Sequence, residues 1–83
     1  MDQTKYYKTN AFYLSAFLLA KGIALECVEK NALNKIIFVF LNSNELQNLV
    51  SVFNFGDDNN QSLLVNFKKA EEAIKRIKHI IHD

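Results

Sequence analysis

Four places along this chain carry side chains equipped for chemistry: Cys27, the stretch Asp57-Asp58-Asn59-Asn60, the set His79, His82 and Asp83, and the segment Lys5-Tyr6-Tyr7-Lys8. The histidine set falls within one helical turn and offers two nitrogens and a carboxylate. A structural zinc takes four ligands and a catalytic zinc three from the protein. Two histidines at i, i+3 lack a third firm ligand, and cations in the last turns of a helix already complement its dipole. A solvated helix end is the better account. An EF-hand loop opened at Asp57 needs glycine at its sixth position and glutamate at its twelfth. Ser62 and Lys68 stand there, so the calcium reading fails and a solvated turn replaces it.

Cys27 lies in a loosely alternating apolar segment with neither histidine near it in sequence. A free cysteine in such a setting behaves as a small buried hydrophobe. Gly22 and Gly56 are isolated, which leaves no phosphate-cradling loop, and no serine sits in a nucleophile-elbow context. No catalytic motif, cofactor site or small-molecule site is found, and a non-enzymatic protein is expected.

Lys5-Tyr6-Tyr7-Lys8 is the first binding candidate, because aromatic faces that stack on bases, interleaved with cations, are the parts of a single-strand-binding surface. Lys68, Lys69, Lys75, Arg76 and Lys78 would extend it as a basic stripe. Glu71 and Glu72 neutralise part of that helix, and a net charge of +1 gives no global pull toward a polyanion. A solvated edge strand with one tyrosine packed inward is the preferred reading of this segment.

The elements that position these residues centre on Lys35–Asn42. Its run Ile36–Leu41 is apolar throughout and mostly β-branched or aromatic, which reads as a strand. Ile36, Phe38 and Phe40 point one way; Ile37, Val39 and Leu41 point the other. Two apolar faces predict a mid-sheet strand, with helices on one side and something else on the other. Upstream, Tyr6 and Tyr7 favour a strand whose flanking lysines suit an exposed edge. Thr9 or Asn10 is expected to cap a helix over Ala11–Lys21 that is apolar nearly all round, with Gly22 as its left-handed stop. Ile23–Lys30 reads as a strand with Leu25 and Cys27 on one face and Glu26 and Val28 on the other. Asn31–Asn34 turns it back into the central strand as an antiparallel hairpin.

Asn42-Ser43-Asn44-Glu45 has capping-box spacing, and Leu46, Leu49, Val50 and Phe53 follow at helical intervals up to Gly56. Ser62 is expected to cap a last helix. Its seam of Leu63, Phe67, Ala70, Ile74, Ile77 and Ile81, widened by Ala73 and Ile80, falls short of the heptads a coiled coil requires. Glu71–Lys75 and Glu72–Arg76 are acid-before-base pairs at i, i+4. The expected fold is α+β, a two-layer β-α-β-β-α-α domain with a three-stranded, antiparallel or mixed sheet, occupying 1–83 as one domain.

The 83 residues, 49% hydrophobic and 23% charged, have the composition of a globular domain rather than a disordered chain. The most apolar run, Ala11–Ala20, is about half of a membrane span. One cysteine and no signal-peptide pattern point to a reducing cytoplasm.

Tyr6-Tyr7-Lys8-Thr9, Phe12, Leu14, Ala16-Phe17-Leu18-Leu19 and Lys21-Gly22, then Phe38-Val39-Phe40, Glu45-Leu46 and a final amphipathic helix, resemble a family of short prokaryotic and mobile-element proteins catalogued as a domain of unknown function. The likeness runs from Tyr6 to about Ile81. The family's middle strand often follows more glycine or charge than Asn31–Asn34 supply. The resemblance implies a small autonomous cytosolic domain and brings no catalytic residues.

The surplus of apolar surface is the stronger hint at function. A two-faced central strand, an all-round apolar helix and the α-helical seam compete for three helices' worth of cover, so a homodimer through the seam is expected. The leading expectation is a self-associating, non-enzymatic interaction module; the alternative is a nucleic-acid-binding accessory protein using Lys5–Lys8 and the C-terminal lysines.

Overall fold

The computed structural model describes residues 5–56 and 60–82. The elements run β1 (Tyr6–Thr9), α1 (Phe12–Ala20), β2 (Leu25–Lys30), β3 (Ile36–Leu41), α2 (Asn44–Phe55), a 3₁₀ turn (Gln61–Leu63) and α3 (Phe67–His82). The expected α+β order β-α-β-β-α-α is the one observed. The sheet is antiparallel throughout with strand order β1-β3-β2, so the apolar run Ile36–Leu41 is the central strand.

The two faces of β3 are treated differently. Phe38 and Phe40 are buried in a core shared with Leu14, Phe17 and Leu18 of α1, Leu46 of α2, and Ala73 and Ile77 of α3. All three helices therefore cover the same side of the sheet. Ile37, Val39 and Leu41 face away from them. Val39 is nonetheless only 2% exposed, whereas Leu41 is 45% exposed. In register beside Val39 stands Lys8, and beside Ile37 stands Glu29. Lys8 Nζ meets Glu29 Oε1 at 3.3 Å across the strand. The pair stands on the open face beside Val39, where long charged side chains shield apolar neighbours with their stems while their heads stay in water. An ion pair this exposed contributes only about 0–1 kcal/mol; its stems matter more than its charges.

α1 ends as expected. Gly22 has φ +91°, its N–H reaches Leu19 O, and the N–H of Ile23 reaches Leu18 O, both at 3.0 Å. That double bond pattern satisfies the last carbonyls and requires the left-handed residue. The helix start differs from the expectation by a residue or two. Ala11 occupies the cap position without a capping side chain, and Thr9 Oγ1 instead accepts the Ala11 N–H at 3.0 Å. Ser15 is fully buried beside the core and donates to Ala11 O at 2.8 Å, so its hydroxyl is satisfied within its own helix.

The expected capping box on α2 shifts by one residue. Ser43, not Asn42, is the cap, and Ser43 Oγ accepts the Leu46 N–H at 3.0 Å. Glu45 then sits one position too early to reach back, and Asn42 Oδ1 accepts from Gln47 Nε2 instead, at 2.8 Å. Gly56 stops α2 in an extended conformation; a Cβ there would press on the carbonyl oxygen of Val52. The last helix begins later than expected. Ser62 belongs to the 3₁₀ turn, and Asn66 Oδ1 accepts the Lys69 N–H at 3.2 Å at the true start of α3.

β2 carries the largest departure. Leu25 pairs with Phe40 and Cys27 with Val39, so Glu26 is an extra residue in a bulge. Past it the alternation is inverted. Leu25 and Val28 share the helix-facing side, and Cys27 points to the open side, where it is exposed rather than buried. The hairpin closes through residues 31–35, with Asn31 Oδ1 accepting the N–H groups of Leu33 at 2.9 Å and Lys35 at 3.0 Å, and Asn34 at φ 63°.

Replacing Phe38 or Phe40 by alanine is expected to cost roughly 3–5 kcal/mol each, a large share of what a domain this small possesses. Val39→Ala is expected to cost less, since it removes fewer buried carbons and its cover can collapse. Urea melts of the three variants check the order.

Candidate interaction surfaces

The residues equipped for chemistry do not converge. Cys27 is exposed on the sheet face that turns away from the helices, whereas His79 is exposed on the last turns of α3, on the helical side. Among the described residues no group of three histidine, cysteine, aspartate or glutamate side chains is placed to hold a metal. Asp57, Asp58, Asn59 and Asp83 lie outside the described residues, so the calcium and terminal metal readings are not addressed by the geometry. No described helix is long and apolar enough to cross a membrane.

The two parts of the basic surface are also separated. Tyr6 pairs with Leu41 and Lys8 with Val39 on the open sheet face, while Tyr7 pairs with Phe40 and packs inward against the core. Lys5 Nζ stands 5.6 Å from the Tyr6 ring centroid, a cation–π contact, and Lys8 is held by Glu29. The lysines of α3 lie across the sheet from these. Nor do they form one stripe. Lys69 and Arg76 flank a shallow groove of about 260 Å³ beside Leu19, Ala20 and Gly22, with Glu72 between them. Lys75 and Lys78 border a different groove, and Lys68 stands on the outer face. Two stacked tyrosines continuous with a basic helix would need these parts on one side of the sheet.

What the fold does assemble is apolar. The sixteen residues of α3 are strongly two-sided, and the expected seam splits in two. Ile77 is fully buried and Ala73 nearly so, with Ile80 packed beside them. Phe67, by contrast, is 82% exposed and Ile81 37% exposed. Leu63 precedes the helix altogether and rests against the core from the 3₁₀ turn. Ala70 and Ile74 stand between the buried row and the open one. On one side they line an apolar cleft of about 180 Å³ with Tyr13 and Phe17 of α1 and Phe53 of α2. On the other they line a groove of about 280 Å³ with Phe67, Glu71, Lys75 and Lys78. The two depressions share Ala70 and Ile74, so they form one surface.

Tyr13 is 69% exposed at the rim, and the rings of Phe17 and Phe53 meet at 5.2 Å between centroids. Sequence reasoning missed Tyr13 and Phe53 as surface groups. Tyr13 is one polar-tipped ring in an otherwise apolar helix, and Phe53 falls on the core-facing period of α2. The all-round apolar character of α1 predicts burial on more than one side, whereas Tyr13 stands outside. Lys21 bridges this end of the molecule, donating through Nζ to Leu64 O at 2.6 Å with the Phe17 ring 5.7 Å away.

A family model covers residues 4–82, nearly the whole fold. The chain belongs to the family described as a domain of unknown function, DUF5659. No curated protein and no solved structure matches it. The match agrees with the expected membership in a family catalogued as a domain of unknown function, and it carries no named activity.

The exposure of Cys27 has a direct test. In the folded protein a thiol-specific reagent is expected to label Cys27 to completion without denaturant, at nearly the rate seen in the unfolded chain. Protection by orders of magnitude would mean that this sheet face is covered.

Proposed function

We propose that this domain is a non-enzymatic interaction module that associates with a second copy of itself through the outer surface of its helices. One observation carries the reading: the continuous apolar surface running from Tyr13 and Phe53, through Ala70 and Ile74, to Phe67. A large exposed apolar patch rimmed by charged residues is what protein-binding surfaces look like on otherwise ordinary domains. The scatter of Cys27, His79 and the lysines over opposite sides of the sheet supports a binding role over catalysis or nucleic-acid binding. An exposed thiol fits a reducing, cytoplasmic setting. The prokaryotic or mobile-element context that the resemblance implies belongs to the same reading.

Sedimentation at several concentrations tests it. A species of about twice the 9.6 kDa chain mass is expected to grow with concentration. Phe67→Asp should yield a folded monomer, because Phe67 lies outside the core, whereas Ile77→Asp should unfold the chain, since it buries a charge with no partner. A pure monomer at the highest attainable concentration overturns the proposal.

A further inference from the structure

The exposed stripe of α3 is self-complementary, and we infer that it pairs with the same stripe of a second copy in antiparallel, two-fold fashion, with Glu71 of each copy opposite Lys78 of the other. This inference rests on the self-association reading above and specifies its geometry. By helical spacing the order along this side is Phe67, Glu71, Ile74, Lys78, Ile81, the last of them 37% exposed and also bordering a depression with Phe12 and Ile36: apolar, acid, apolar, base, apolar. Reversed end to end, the pattern maps onto itself with the charges exchanged.

The register follows from helix geometry. Phe67 and Ile81 lie seven residues either side of Ile74, about 10.5 Å along the axis at 1.5 Å per residue. A two-fold axis at Ile74 therefore sets Phe67 against Ile81 of the other copy at both ends, with Ile74 against its own counterpart in the middle. Glu71 lies about 4.5 Å before the axis and Lys78 about 6 Å after it. The acid of one copy and the base of the other then fall within about 1.5 Å of the same level, close enough for long side chains to meet. In an antiparallel pair each helix flank meets the same flank of its mate, as an isologous contact requires. Glu71, Lys75 and Lys78 line one groove together with Phe67 and Ile74, which places them on one flank. Lys75 lies near enough to the axis to share the opposing Glu71.

The charges are available for this. Glu71 and Lys78 are exposed, and neither takes part in an ion pair or hydrogen bond among the described residues. The i, i+4 pair Glu71–Lys75 is likewise not closed within the helix. Ala70, the smallest side chain on the groove floor, lets a second helix approach closely. The other flank continues into the cleft of Tyr13, Phe17 and Phe53, which would meet its own copy across the same axis.

Charge reversal tests the pairing, read by sedimentation equilibrium at low salt. Glu71→Lys and Lys78→Glu should each weaken the dimer by roughly tenfold or more, by placing like charges opposite one another. The double variant carrying both changes should regain dimerisation. So should an equimolar mixture of the two single variants, because one copy then offers a lysine at both positions 71 and 78 and the other a glutamate at both. That recovery in the mixture cannot arise from a change within one chain. The unmutated dimer should weaken as salt is raised, and Cys27 should stay fully reactive in it, since the open sheet face is not used. A dimer indifferent to both substitutions overturns the antiparallel pairing while leaving self-association standing; protection of Cys27 in that dimer would move the interface to the sheet. A monomer at every concentration overturns both.

Discussion

Burial of Phe38 and Phe40 on a single face of β3 is the constraint from which the remaining architecture follows. Each of these rings is worth about 1.5–3 kcal/mol on removal from water, and both lie in the one strand whose backbone is paired on both sides. A three-stranded sheet offers a narrow platform. Committing all three helices to the Phe38 and Phe40 side leaves nothing in the described chain to lay over Ile37, Val39 and Leu41. The open face carries side chains instead, with the Lys8–Glu29 ion pair beside the buried Val39. The β2 edge carries the bulge at Glu26 and charged residues along its length, devices that keep an unpaired strand from recruiting another.

Crowding three helices onto that platform has a second consequence. α1 gives Leu14, Ala16, Phe17 and Leu18 to the core, which leaves Tyr13 outside. α3 has an apolar sector wider than the surface it can reach. Ala73 and Ile77 fill the core, Ile74 packs partly buried against it, and Phe67 with part of Ile81 remains outside. Part of the surplus that makes the sequence look over-supplied with hydrophobes thus lies on the helical layer, while Leu41 and Leu33 remain exposed on the sheet and its hairpin. An interface there would be continuous with the core through Ala70 and Ile74, as in interfaces that resemble a divided domain core.

Much of the domain was legible residue by residue. The uninterrupted run Ile36–Leu41 marks a strand buried at the centre of the sheet. Gly22 marks a left-handed stop, and the spacing of Leu46, Leu49 and Val50 marks the inner face of α2. These are properties of short stretches: steric preference, periodicity and the local supply of hydrogen-bond partners decide them, and all of that information is adjacent in sequence. The exposed apolar surface of the helical layer was legible only in part. Its seam could be read from the helical period, but the same period serves equally well for core and for interface.

Tertiary structure decided the rest, for reasons that involve distant residues. Alternation along Leu25–Lys30 places Cys27 with Leu25; pairing with β3 inserts a bulge that puts Cys27 on the opposite face. Asn42 and Ser43 are both competent caps, and the entry of the chain from β3 selects Ser43. Ser62 satisfies the rules for starting a helix, yet Leu63 and Val65 are drawn down onto the core, which delays α3 to Phe67. Six residues of one seam are equivalent in pattern, and only the position of α1 determines that Ile77 is buried while Phe67 is not. By itself, the sequence determined which elements form and which side of each is apolar. How far each apolar side is covered depends on where the neighbouring helices come to rest, and that is set by packing across the whole domain.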